Sequence, residues 1–221
     1  MKIIIINGSP RKKGATAKIL YRMQKVLSKH KDMQVEIVHL ADLTIGYCKG
    51  CGLCFQNGTC MIEDDGEKLV KKLQEADGVI LGSPTYASNV SGQMKVFIDR
   101  AHLVMEQALR GKYGIVVATG ENYGNRDAAS ILKKWIQYSG GIVCQSIVRN
   151  IPFSEDIEDD KRLQRQIKGA SEKLYESVSR RKLYPVQNLF CRIVFYVGIR
   201  PFVLKKGKAY MGVKEKWDRH V

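Results

Sequence analysis

Long hydrophobic runs are missing from this 221-residue chain. The first apolar stretch, in MKIIIINGSPR, holds four isoleucines and then meets a turn. That is too short for a signal sequence, and nothing further along approaches the roughly 20 apolar residues of a membrane span. A cytoplasmic address is therefore expected, where thiols stay reduced. Internal repeats and low-complexity tracts are also lacking, so solenoids and compositionally biased arrays are excluded. Histidine is scarce: His30, His39, His102 and His220 are scattered, and none forms a pair with a Ser or Cys in a loop suited to chemistry. Each reads as a lone surface histidine, and no residue is expected to act as a general acid–base or a nucleophile.

Acidic residues are thin at the carboxyl end. The net charge is +15, but residues 161–221 hold sixteen Lys/Arg against four Asp/Glu, so the first 160 residues carry an ordinary balance. The acidic stretch Ile151–Asp160 reads as a linker between a main domain and a basic tail. Within that tail, Asn188–Leu204 is apolar apart from Arg192 and Arg200, and KKGKAYMGVKEKW follows. The organisation expected is a domain over 1–184 and a basic, apolar extension over 185–221. The extension is too short to build its own core. It is expected to pack on the domain or on a sister subunit, with a membrane-surface role as the alternative. Charge without a recognised motif disfavours nucleic acid as a partner.

Of only six cysteines, four fall within thirteen residues. Cys48, Cys51, Cys54 and Cys60 form C-x-x-C-x-x-C-x-x-x-x-x-C in YCKGCGLCFQNGTC. Three thiolates at i, i+3 and i+6 with a fourth after a wider gap resemble the ligand run of ferredoxin-type iron–sulfur clusters. Gly50, Gly52 and Gly58 permit the tight turns such wrapping needs. The alternatives are zinc, which usually draws on two C-x-x-C pairs set further apart, paired disulfides, which fit a reduced compartment poorly, and idle thiols. Cys144 and Cys191 lie in apolar segments, where a buried free thiol is the usual role.

Hydrophobic periodicity alternates between strand and helix along the chain. Strands are expected over Lys2–Asn7, Val35–Leu40, Gly78–Gly82, Tyr113–Ala118 and Ile142–Ile147. Helices are expected over Ala15–Ser28, Gly66–Glu75, Gly92–Leu103, Asp127–Tyr138 and Lys161–Arg181. Five strands alternating with helices imply an α/β fold, a doubly wound parallel sheet with helices on both faces. Ligands of such sheets bind beyond the carboxyl ends of the strands.

The loops at that rim are unusual connectors. The first, GSPRKKGAT, combines glycines, hydroxyls and cations with a helix start, a construction suited to phosphate. It lacks the G-x-G-x-x-G and Walker spacings, which disfavours dinucleotide and P-loop nucleotide binding; an ordinary turn with Thr16 as N-cap is the alternative. The second loop, SPTYASNVSGQMK, sets Tyr86 beside Pro84, Ser88 and Asn89. The third, TGENYGNRD, carries Tyr123 between Gly120 and Gly124. Two aromatics and a phosphate cradle on one rim suggest a phosphorylated aromatic cofactor.

GSPRKKGAT, the SPTY…G-Q-M-K-x-F-I-D-R run from Ser83 to Arg100, and TGENYGN resemble the flavodoxin-like NAD(P)H-dependent FMN reductases. With the cysteine loop included, the chain resembles their iron–sulfur flavoprotein branch over about residues 1–150. The resemblance implies a flavodoxin-like five-stranded sheet in the order 2-1-3-4-5. It implies FMN, with Ser9, Arg11, Gly14, Ala15 and Thr16 at the phosphate. Pro84, Thr85, Tyr86 and Ser88 would flank the isoalloxazine, and Thr119, Gly120 and Tyr123 its other border. It implies a [4Fe–4S] cluster on Cys48, Cys51, Cys54 and Cys60, and a homodimer or homotetramer. The activity implied is an FMN-dependent oxidoreductase passing electrons between a reduced donor, ferredoxin or NAD(P)H, and a small acceptor. A cluster-free NAD(P)H-dependent reductase of flavin, quinone or nitro compounds is the alternative. A passive flavodoxin-like carrier is disfavoured, because such carriers are usually acidic.

Overall fold

Each strand of the central sheet alternates its side chains between two cores, which is why the apolar runs are continuous rather than alternating. The computed structural model describes residues 1–152 and 157–218. Its strands are β1 (Lys2–Asn7), β2 (Gln34–His39), β3 (Gly78–Tyr86), β4 (Asn89–Val90), β5 (Tyr113–Gly120) and β6 (Ile142–Asn150). The order β2-β1-β3-β5-β6 is parallel throughout, as the resemblance implied. The two-residue β4, not anticipated, pairs antiparallel with the end of β3. Between β5 and β6 the register slips after Gly114, so that Cys144 is skipped.

On one face Ile4, Ile6, Leu81 and Val116 pack under α3 (Asp65–Glu75), α4 (Gly92–Arg100) and α6 (Asn125–Tyr138), through Leu69, Phe97 and Leu132. On the other, Ile3, Ile5, Ile80 and Ile115 meet α1 (Ala15–Leu27) and α7 (Lys161–Ser179), through Leu20, Met23, Ile167 and Leu174. The expected linker is not a boundary where it is described. Ile151 and Ile157 are buried in this second core, so the chain enters α7 as part of the domain; the intervening 153–156 lie outside the described residues, as does His220.

The helix expected over Gly92–Leu103 stops at Arg100, because Ala101 is extended (φ −80°, ψ 106°). The short α5 (Leu103–Glu106) then starts behind His102. A five-residue helix, α2 (Leu53–Asn57), forms inside the cysteine segment, bounded by Gly52 and Gly58 at φ 73° and 71°, where a side chain would be strained. Residues beyond 184 are almost wholly helical. They form α8 (Pro185–Ile193), a π-helical stretch Val194–Ile199, α9 (Arg200–Lys206), a 3₁₀ turn Gly207–Tyr210 and α10 (Met211–Asp218). They fold back on the same chain. Gln187 hydrogen-bonds both the N–H and the C=O of Val143, at 3.0 Å each, and so caps the open edge of β6. Further on, Phe195, Ile199, Val203 and Val213 form a third core with Phe55, Met105 and Trp217.

Candidate functional site

A cavity of about 820 Å³ opens beyond the carboxyl ends of β1, β3 and β5, within the size range of cofactor pockets. All twelve residues that the resemblance assigned to FMN line it. The loop after β1 is folded around Asn7, whose buried carboxamide accepts from Ser9 N–H at 2.9 Å. Ser9 Oγ in turn accepts from Arg11 N–H and donates to Arg11 C=O, both at 3.1 Å. Gly14 is the N-cap of α1 and supplies no side-chain bond, and the first turn holds no acidic residue. The helix start therefore keeps backbone donors for an anion. Thr16 is not the cap: its buried hydroxyl meets that of Thr119 at 2.6 Å and ties the first loop to the third.

The second loop is a hairpin in which Thr85 pairs with Val90 and Tyr86 with Asn89. Its two turn residues, Ala87 and Ser88, have φ of 48° and 59°. Neither is the Gly, Asn or Asp that such a turn favours, so the hairpin holds strain at the cavity mouth. One buried polar atom of this wall, Thr85 Oγ1, is also left without a partner. Tyr86 and Tyr123 stand 43% and 71% exposed on opposite loops of the rim. An anion-binding helix start, an unpaired buried hydroxyl and two exposed aromatics fit a flat, phosphorylated cofactor.

A second cavity, of about 300 Å³, gathers Cys48, Cys51, Cys54 and Cys60 with Phe55, Arg100 and His102 among its walls. All four thiols are free. Among the described residues, no three His, Cys, Asp or Glu side chains converge to metal-holding distance. The donor set nevertheless fits an anionic sulfur-bound group. Burial and the neighbouring sulfurs push the Cys54 thiol up to about 11, the response of thiols crowded into one partly buried site. The buried Nε of Arg100 has no partner, and the Cys60 thiol lies beside the same guanidinium.

The expectation of lone surface histidines is corrected here. His102 is buried, with Nδ1 2.6 Å from Glu106 Oε1 and Nε2 3.1 Å from Glu67 Oε2. Burial opposes its charge, but the two carboxylates outweigh burial and hold its pKa up at about 9, so it is an imidazolium at neutral pH. Glu67 also accepts from Thr59 Oγ1 and Cys60 N–H, which links that charge to the cysteine segment. Arg100 grips Asp64 through both nitrogens, at 2.7 and 3.0 Å, and donates to Gly46 C=O at 2.8 Å and Ile62 C=O at 3.4 Å. It thereby staples the two ends of the segment that carries the cysteines. His30 and His39 are not lone either; His30 stacks on Tyr175, and His39 lies between Asn7 and Tyr21.

The tail packs behind this cavity, on Phe55 and Met105 of its wall, which local patterning did not reveal. Tyr210 stacks on Phe55 at 4.7 Å, Lys216 reaches Glu106 at 2.7 Å, and Trp217 Nε1 donates to Met105 C=O at 2.9 Å. The His102–Glu106 spacing of four on one helical turn was the one local signal for this network.

Residues 1–156 match the family model described as NADPH-dependent FMN reductase. An iron–sulfur flavoprotein of Clostridioides difficile (strain 630) is 34% identical over 221 residues, covering 99% of this chain and 98% of the relative. An iron–sulfur flavoprotein of Archaeoglobus fulgidus is 38% identical over 186 residues, covering 79% of this chain and 82% of the relative. Among solved structures, an apo NADH:FMN oxidoreductase superimposes with a TM-score of 0.60 at 23% identity, over 85% of this chain and 93% of that one. A flavodoxin from an archaeon superimposes at 0.55 and 16% identity, over 81% and 99%. At these identities the superpositions speak for the fold alone.

Proposed function

Given that the chain belongs to the NADPH-dependent FMN reductase family, in its iron–sulfur flavoprotein branch, and is an FMN-dependent oxidoreductase, we propose that it couples FMN to a [4Fe–4S] cluster and passes electrons from NAD(P)H or ferredoxin to a small acceptor. The observation that carries this reading is the placement of the two cavities at opposite ends of α4. Ser91, its N-cap, donates to Gly8 C=O at 2.6 Å beside the first rim loop, and Arg100, its last residue, lines the cysteine cavity. Nine helical residues span about 13 Å, so one short rigid element joins the base of the first rim loop to the cysteine cavity.

FMN exchanges two electrons as hydride or singly, and a [4Fe–4S] cluster exchanges one at a time, so together they would interconvert two-electron and one-electron carriers. In this reading Ser9, Arg11 and the start of α1 hold the phosphate, and Thr85 Oγ1 gives the flavin a buried hydrogen-bonding partner. Tyr86 and Tyr123 exclude water from the ring. Cys48, Cys51, Cys54 and Cys60 bind the cluster, and the cations Arg100 and His102 offset its negative charge. The basic surface would draw an acidic protein donor by long-range attraction. Assembly as a dimer or tetramer is proposed from the family resemblance alone.

A second reading, a cluster-free NAD(P)H-dependent reductase, is favoured by the absence of a converged metal-binding group among the described residues. Anaerobic purification with iron, sulfide and visible-absorption measurements separates the two. The cluster reading expects about four irons per chain. Serine at any of the four loop cysteines should lower the iron content, while serine at Cys144 or Cys191 should leave it unchanged. Stoichiometric zinc, or iron-free protein that still oxidises NAD(P)H, would decide for the second reading.

A further inference from the structure

Helices α8 and α9, joined through Val194–Ile199, run as one rod over residues 185–206. A single stripe of it is buried, at Cys191, Phe195, Ile199 and Val203, every fourth residue. The opposite side is apolar and faces water. Val186 is 82% exposed, Val197 74%, Leu189 60% and Ile193 51%, and Leu183 just before the rod is 78% exposed. A surface helix of this length normally turns charge outward and its apolar residues inward; here both faces are apolar. The charge is one-sided as well. From Ser177 to Lys214 the sequence has nine Lys/Arg and no Asp or Glu, and Arg192, Arg200, Lys205 and Lys206 are exposed along the rod. No helix among the described residues is long and apolar enough to cross a membrane.

We propose that this face docks on an anionic membrane surface. The rod would lie in the plane of the headgroups, with its aliphatic side chains inserted and its Arg and Lys groups on lipid phosphates. A second copy of the chain suits the face less well, because a two-fold contact would set this acid-free basic segment against itself. Docking would also orient the protein. Phe202, near the end of the rod, packs edge-on against Tyr210 at 5.6 Å, and Tyr210 stacks on Phe55 of the cysteine segment. The cysteine cavity, whose walls Phe55 and Met105 pack on the buried stripe of the rod, would then lie behind the rod on the side turned away from the lipid. Docking on lipid through this face does not depend on cofactor content.

The test is co-sedimentation of the full chain with vesicles of phosphatidylcholine alone or mixed with phosphatidylglycerol, at about 0.15 M salt. Binding is expected only with phosphatidylglycerol. Lys205→Gln and Lys206→Gln should each weaken it about fivefold. Ile193→Asp with Val197→Asp should remove it, while circular dichroism and FMN absorbance stay those of the parent. Sedimentation velocity of the same variants shows whether another copy occupies the face. Full-length protein that stays in the supernatant with the anionic vesicles overturns the proposal. So does binding that the paired Asp substitutions leave intact, or a parent oligomer that those substitutions break into monomers.

Discussion

Removing the Arg100 guanidinium should unfasten the cysteine segment, and the cost can be worked from its contacts. The Arg100 and Asp64 side chains are 2% and 10% exposed, so the pair is desolvated. Asp64 also accepts from Gly46 N–H and Gly66 N–H, at 2.9 Å each, and these bonds with the guanidinium hold its carboxyl below the usual range despite burial. Arg100→Met keeps much of the packing but leaves a buried carboxylate without its counter-charge. Breaking one side of such a pair costs about 3–5 kcal/mol. With a urea dependence of about 2 kcal/mol per molar, the unfolding midpoint should drop by roughly 1.5–2.5 M. Arg100→Lys keeps the charge and loses the fork, so its cost should fall between parent and Met. Because Gly46 and Ile62 bracket the cysteines, iron incorporation and the protection of Cys54 and Cys60 from thiol reagents should fall in the same order. A midpoint shift below about 0.5 M for Arg100→Met, with thiol reactivity unchanged, would refute the staple.

Other perturbations probe the remaining contacts. Arg11→Ala should weaken FMN binding tenfold or more in a fluorescence titration, since one charge-assisted contact contributes roughly 1.5–3 kcal/mol; parental affinity would show that the phosphate lies elsewhere. Gly212→Ala should lift α10 off α2, because a Cβ there would lie 2.7 Å from Asn57 C and Gln56 O. The expected cost is about 1–3 kcal/mol, read as faster hydrogen exchange over residues 211–218. His102, at about 9 when folded against an ordinary 6.5, stabilises the fold fully below about pH 6.5, and the stabilisation is lost as pH rises through 9. The difference corresponds to about 3 kcal/mol. Cluster-free His102→Gln should therefore lack the decline in unfolding free energy between pH 7 and 9 that the parent shows, and identical pH profiles would count against the charged network.

Much of the architecture was legible locally. The run Ile3–Ile6 reads as a strand buried on both faces, and the alternation of such runs with amphipathic helices leaves few topologies for a parallel sheet. Once the sheet is drawn, chain direction alone puts the residues following β1, β3 and β5 on one rim. That is why GSPRKKGAT, SPTYAS and TGENY could be read together before any contact was known. The cysteine spacing was equally local. Tertiary structure decided what depends on distant partners. Nothing near His102 in the chain says that Glu67, 35 residues away, will share its ring with Glu106 and turn an apparent surface histidine into a buried cation. The Arg100–Asp64 fork likewise needs α4 and the end of the cysteine segment side by side. The tail shows the limit most plainly. Its apolar residues declared that they would seek cover, but the hydrophobic effect has no direction. Only the folded chain separates Cys191, Phe195, Ile199 and Val203, buried against their own domain, from Val186, Leu189, Ile193 and Val197, which the same helix turns to water.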